Sequence, residues 1–242
     1  MLSKQVGLFQ QVGVISNNVA NVNTVGFKSD NIVYQAFPVK LDSPDHKPKV
    51  LDYADDVGTY TDGTEGHYEE TNNELDAAIH GAGYFTVMSP LGVRYTRAGD
   101  FQINGLGQLV NPQGYQVLDP NGQPIVFQDG DRDIQIYGDG TITAMQDGQI
   151  GPNTRGQLGV VTFINPNVLN KLTNGLFSGP AGQKPLDGSY VVAQGVLETS
   201  NVNSVTEMTK LIEVNRNSGY LSKALGDMNT LELKALDTIN KQ

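Results

Sequence analysis

The chain contains no cysteine and no tryptophan. The first absence excludes a disulfide framework, thiol chemistry and any cysteine-ligated metal. Histidine is nearly as scarce. His46, His67 and His80 share no ligand spacing, and each reads as an ordinary surface or satisfied residue. Charged residues make up only 17% of 242 positions, and the formal net charge is −10. A surface that neutralises phosphates needs clustered Lys and Arg, so nucleic acid is excluded as a partner. The acidic residues are dispersed, which reads as solubility. No apolar run approaches the roughly 20 residues of a membrane span, so no membrane insertion is expected. Met1 to Gln11 lack the basic start and apolar block of a signal peptide.

Catalytic patterns are missing as well. Asp129-Gly130-Asp131-Arg132-Asp133 opens like a calcium loop, but its sixth position is Ile134 and its twelfth Gly140, where Gly and Glu are required. Turn chemistry accounts for those aspartates. Gly81-Ala82-Gly83 is a lone Gly-x-Gly in a β context and lacks the strand-to-helix setting of a dinucleotide site. No Gly-x-Ser-x-Gly elbow occurs. Nothing brings two of Glu69, Glu70 and Glu74 into one pocket as an acid–base pair. No enzyme, cofactor or metal is expected.

What is present changes character along the chain. Leu8, Val12, Ile15, Val19 and Val22 alternate steps of four and three, a heptad seam along a helix weakened by Gly7 and Gly13. Asn17, Asn18, Asn21 and Asn23 then compete with the helix, and Gly26 is a ready stop. The helix is expected to end near Asn23 in a turn presenting Phe27. Residues 30–74, with Pro38, Pro44, Pro48 and a loose acidic patch at Asp52, Asp55 and Asp56, read as an extended connector with short strands.

From 75 to 196, β-branched and aromatic runs such as Tyr84-Phe85-Thr86-Val87-Met88 alternate with turns. Asn104-Gly105, Asn121-Gly122, Asp129-Gly130, Asp139-Gly140 and Asp147-Gly148 suit tight hairpins, which predicts an antiparallel β domain. After Val202 the turns stop. Met208, Leu211, Leu221, Leu225, Met228, Leu231, Ala235 and Ile239 recur at helical spacing and predict a long amphipathic helix over the end of 197–242. Asn217-Ser218-Gly219 interrupts it, predicting firm pairing only beyond Tyr220.

Three stretches carry a resemblance. The first is Asn17-Asn18-Val19-Ala20-Asn21-Val22-Asn23-Thr24-Val25-Gly26-Phe27-Lys28. The second runs from Ile79-His80-Gly81-Ala82-Gly83-Tyr84-Phe85 to Tyr95-Thr96-Arg97-Ala98-Gly99-Asp100-Phe101. The third is Gln194-Gly195-Val196-Leu197-Glu198-Thr199-Ser200-Asn201-Val202-Asn203-Ser204-Val205-Thr206-Glu207-Met208. Together, and in this order, they resemble the flagellar basal-body rod and hook protein family, and the modest length is most like the proximal rod members.

The resemblance implies a mixed, mainly β fold. N- and C-terminal α-helices (1–29 and 197–242) would form a coiled-coil-like inner domain around an antiparallel β domain. It further implies a structural, non-enzymatic subunit of the periplasmic rod, exported without a cleavable signal peptide. Its partners would be other copies of itself, neighbouring rod proteins and the flagellar export apparatus. The implied assembly interface comprises Leu8, Val12, Ile15, Asn17, Asn18, Val19, Asn21, Val22, Asn23, Gly26 and Phe27. At the other end it comprises Asn201, Val202, Val205, Met208, Leu211, Leu221, Leu225, Met228 and Leu231. Loose ends that order on assembly would suit such an interface. The competing reading, a secreted carbohydrate-binding or adhesin-type β module with helical oligomerisation ends, explains the turns and acidity but not the three stretches in order.

Overall fold

The structure, a computed structural model, describes residues 2–41, 49–165, 168–182 and 189–239. Pro44, His46 and Pro48 lie outside the described residues, as do the side chains of Pro38, Asp52, Asp55, Asp56, Ala235 and Ile239.

Helix α1 spans Leu2–Ala20. It ends before Asn23 because the chain turns at once, with the Thr24 amide donating to the Asn21 carbonyl at 3.1 Å. Strands β1 (Asp30–Leu41) and β2 (Lys49–Thr61) pair with each other. The strands β3 (Tyr68–Glu70), β4 (Ala77–Gly81), β5 (Tyr84–Ser89) and β6 (Gly92–Thr96) follow. Short strands β7 (Gln102–Ile103), β8 (Leu109–Val110) and β9 (Gln116–Val117) come next. Then come β10 (Asp131–Ile136), β11 (Thr141–Gln146), β12 (Pro152–Gln157), β13 (Val160–Val161), β14 (Asn170–Lys171) and β15 (Leu176–Ser178). Finally β16 (Tyr190–Gln194), β17 (Val196–Glu198) and helix α2 (Ser204–Ile239) close the described chain. The protein is therefore mainly β, with a helix at each end and antiparallel sheets between.

By its contacts the chain divides into two compact units. One holds Met1–Ala20, Asp30–Tyr60 and Asn203–Gln242, and the other holds Asn21–Ser29 and Thr61–Val202. In the second, the β unit, one sheet runs β14-β15-β6-β5-β9-β8-β7 with β13 added against β5, and a three-stranded sheet runs β10-β11-β12. Strand β16 pairs β4 and β17 pairs β3, so the segment before α2 closes onto the start of the β unit. Alternation along these strands sends Ile79, Phe85, Val87, Leu109, Val117 and Ile142 into one core, where Ile125 and Leu158 join them from the connecting segments, each at most 2% exposed. Phe85 and Phe101 meet edge to face at 5.1 Å. Burying each such large side chain stabilises the fold by about 1.5–3 kcal/mol.

The turn chemistry follows the expected pairs. Gly122, Gly130, Gly140 and Gly148 all have positive φ, while the Asn104-Gly105 turn places its positive φ at Gly107. At Asp139-Gly140 the carboxylate accepts the Thr141 amide at 2.9 Å, and the left-handed glycine (φ 85°) completes the hairpin.

Helix α2 corrects one expectation: it runs unbroken through Asn217-Ser218-Gly219. Asn203 caps it, its side chain accepting the Thr206 amide at 3.0 Å. A mid-helix Gly costs about 1 kcal/mol. Packing offsets that here, because Val214 on one side and Leu221 on the other are both held against α1.

A carboxylate pair lies at the edge of the core. Asp76 and Asp100 face each other in an isolated antiparallel bridge, and Oδ1 of Asp100 is buried without a hydrogen-bond partner. Burial raises the Asp100 carboxyl above its ordinary value. The Asp76 charge adds to this, while its own backbone amide works against it. A carboxyl raised on folding contributes stability below its unfolded value that is lost as pH rises through the folded value. Asp100→Asn is therefore expected to raise Tm at neutral pH and to change it little in acid below the ordinary aspartate range. Thermal unfolding at the two pH values measures the difference.

Candidate assembly site

In the helical unit α1 turns one stripe towards α2. Leu8, Ile15 and Val214 are 9%, 7% and 7% exposed, and Val12, Val19, Leu211 and Leu221 pack around them. The pairing thus begins well before Tyr220, at Leu211 and Val214, and is not confined to the stretch beyond it. Past it Leu225 is half-buried, and Met228 and Leu231 are 51% and 65% exposed. Val205 and Met208, in the first turns of α2, are exposed as well.

Asn18 is a buried polar fastener at the end of the stripe. Its amide nitrogen donates to Oε2 of Glu207 at 3.2 Å and to the Asp30 carbonyl at 2.9 Å, and its oxygen accepts the Asp30 amide at 3.0 Å. Glu207 also pairs with Lys210 at 2.6 Å. Asn17 and Asn23 are exposed, Val22 is half-buried, and Asn21 accepts from the Thr24 hydroxyl at 3.1 Å.

The turn that follows is built into the β unit. Gly26 and Phe27 are buried there, and the Gly26 amide donates to the Glu198 carbonyl at 2.7 Å. Asn201 accepts the Ser29 amide on its side-chain oxygen at 2.7 Å, and its own amide donates to the Phe27 carbonyl at 3.4 Å. Val202 is buried beside it.

Within the β unit sits an ion cluster that sequence reasoning missed. The Lys28 ammonium donates to Oε1 of Glu198 at 2.5 Å and to the Thr64 carbonyl at 2.6 Å. Arg97 donates through Nη1 to Oε2 of Glu198 at 3.3 Å and to the Ile79 carbonyl at 3.1 Å, and through Nη2 to the Gly81 carbonyl at 2.8 Å. Lys28, Arg97 and Glu198 are 1%, 4% and 1% exposed. Two cations share the Glu198 carboxylate, backbone carbonyls accept their other donors, and the Glu65 carboxylate interacts with both cations, which helps to lower its own pKa. Burial pushes the Lys28 pKa below the usual lysine value, although Glu198 opposes that shift. The available signal was Lys28 closing the first stretch and Glu198 standing in the third. Among the described residues no group of three or more His, Asp or Glu could hold a metal, and no helix is long and apolar enough to cross a membrane.

Comparison with known proteins places these residues. A "Flagella basal body rod protein" profile matches residues 9–28, a "Flagellar hook protein FlgE/F/G D1 domain" profile matches 78–144, and a "Flagellar basal body rod FlgEFG protein C-terminal" profile matches 193–217. Each matched segment contributes one member of the ion cluster: Lys28, Arg97 and Glu198. The chain is 31% identical to the flagellar basal-body rod protein FlgF of Caulobacter vibrioides, over 99% of this chain and 96% of that protein. It is 33% identical to FlgF of Mesorhizobium japonicum, over 89% and 86%. To the flagellar basal-body rod protein FlgG of Bacillus subtilis it is 31% identical, over 89% and 88%. With relatives matched over nearly its whole length and the three profiles in order, the chain belongs to the flagellar basal-body rod protein family.

Proposed function

We propose that the protein is a structural subunit of the flagellar basal-body rod, polymerising through its terminal helices into a helical tube. The tube transmits torque and leaves a lumen for export. The observation that carries this reading is the unequal length of the two helices. Helix α1 has 19 residues and α2 has 36, so at 1.5 Å per residue α2 outreaches α1 by about 25 Å. Its apolar residues continue past the stretch α1 covers, and Met228 and Leu231 stand exposed there. An apolar stripe at steps of three and four is completed by another helix, in coiled-coil-like packing. Neighbouring copies and other rod proteins supply that helix. Heterologous contacts that do not close into a ring extend as a tube.

In this reading the protein works without catalysis or cofactor, lies in the periplasmic part of the basal body, and reaches it through the flagellar export apparatus. The proposed interface keeps the residues expected from the sequence but divides their labour. Leu8, Ile15, Asn18, Gly26, Phe27 and Val202 shape the subunit, and Val205, Met208, Met228 and Leu231 meet neighbours.

The test is the double substitution Met228→Asp and Leu231→Asp. Burying two such side chains is worth about 1.5–3 kcal/mol each, so rod association should weaken roughly a hundredfold or more. The unfolding midpoint of the free subunit should not move. Normal incorporation of the variant into purified basal bodies would refute the proposal.

A further inference from the structure

The turn between α1 and β1 satisfies its backbone and side chains within the β unit. Gly26 donates to Glu198, and the Ser29 carbonyl accepts the Asp62 amide at 2.8 Å. Asn201 bridges to both Phe27 and Ser29. Its side-chain nitrogen donates in turn to the Asp62 and Thr64 carbonyls at 3.1 and 3.2 Å. Ser29 and Asn201 are therefore joined directly, although they are 172 positions apart.

One residue outside all three matched profile segments closes this arrangement. Lys171, on strand β14, places its ammonium 3.6 Å from the centre of the Phe27 ring and donates to the Lys28 carbonyl. Its partners differ from those of Glu198: Glu198 takes the Gly26 amide and the Lys28 ammonium, while Lys171 takes the Phe27 face and the Lys28 carbonyl. A cation over a desolvated aromatic face combined with a charge-assisted hydrogen bond is a strong local restraint.

We infer that Lys171 is a positioning residue for assembly. With the Lys28–Glu198–Arg97 cluster it forms a clamp that holds the Gly26-Phe27-Lys28 turn to the β unit independently of the helices. Two of the four places where the chain crosses the boundary of the β unit, Ser29 towards β1 and Val202 towards α2, are thereby held side by side in the free subunit. These two exits are fixed only once the β unit has folded, so assembly depends on that folding. The step from clamp to assembly rests on the rod-subunit reading, whereas the clamp itself does not.

Hydrogen exchange on the full-length, unassembled chain separates the two. The amides of Gly26 and Asn201 should be protected to the level of the β core, more strongly than those of α1. Lys171→Met should speed their exchange about tenfold, leaving the amides of β5 and β11 unchanged. Lys171→Arg keeps the charge and the donors, and should restore protection to within about threefold. Turn amides that exchange as fast as those of α1, or a Lys171→Met variant indistinguishable from the parent, would overturn the clamp. In basal bodies Lys171→Met should lower incorporation and Lys171→Arg should recover it. A loosened turn with full incorporation would overturn the positioning role, even if Met228 and Leu231 prove essential.

Discussion

Glu198→Gln is expected to destabilise the β unit by about 3–5 kcal/mol, the usual consequence of removing one partner from a buried ion pair. In a domain of this size that lowers Tm by roughly 6–20 °C. Gln preserves the volume and can still accept the Gly66 amide, which Oε1 of Glu198 holds at 3.0 Å. It cannot neutralise the two cations that Glu198 separates, Lys28 and Arg97, each at most 4% exposed. Lys28→Met should cost less, about 1–3 kcal/mol, because Glu198 keeps Arg97 as a partner. The decisive comparison is the double variant. If cation repulsion drives the loss, Lys28→Met should rescue part of the Glu198→Gln defect, giving a coupling that a double-mutant cycle resolves. Raising the pH should rescue it too, because Lys28, already pushed below the ordinary lysine value by burial, escapes the conflict by giving up its proton. A double variant no more stable than Glu198→Gln, at any pH, would refute this account.

The cluster also shows where sequence legibility stops. The seam of α1 was readable because a helix repeats its stripe every three or four residues, and Leu8, Val12, Ile15 and Val19 all join one cluster with Leu211, Val214 and Leu221. The β middle was readable because the Asn-Gly and Asp-Gly pairs fall at its turns. No such local rule marks a buried ion. Lys28 and Glu198 are 170 positions apart and Arg97 and Glu198 101, and charge alone gives no hint of which lysine is buried. The continuity of α2 is not legible locally, for a related reason. Local propensity argued for a break at Asn217-Ser218-Gly219, while the contacts that override it come from α1, at the far end of the chain.

The asparagines illustrate the same limit at one site. A run of Asn was readable as a helix end, but not the separate tasks within it. Asn18 is 1% exposed and joins α1, α2 and the start of β1 through three hydrogen bonds. Its neighbour Asn17 is exposed. Burial distinguishes the two, and burial depends on partners from Asp30 and Glu207.

Gly26→Ala should be at least as damaging as Glu198→Gln, and for a reason that can be isolated. Gly26 has φ of 65°, where an L-residue other than glycine is strained by about 1–2 kcal/mol. Its surroundings add a second penalty. A Cβ there would stand 2.3 Å from the Ala98 nitrogen, 2.5 Å from the Arg97 carbonyl carbon and 2.9 Å from the Ala98 Cα. All three are backbone atoms beside the arginine of the ion cluster, so no side chain can swing aside. The turn must back away, which breaks the Gly26–Glu198 hydrogen bond and draws Lys28 off its carboxylate. A loss of about 4 kcal/mol or more is expected in urea unfolding, together with failure to assemble. Gly114→Ala is the control for conformation alone, because its φ is 82° and a Cβ would meet nothing within 4 Å; it should cost only about 1–2 kcal/mol. Gly26→Asn is the control for space, since Asn tolerates the left-handed conformation yet carries the same Cβ. If close approach dominates, Gly26→Asn should be no milder than Gly26→Ala. If Asn instead restores most of the stability, the glycine is needed for its backbone angle, and the packing of the turn against Arg97 and Ala98 does not set the cost.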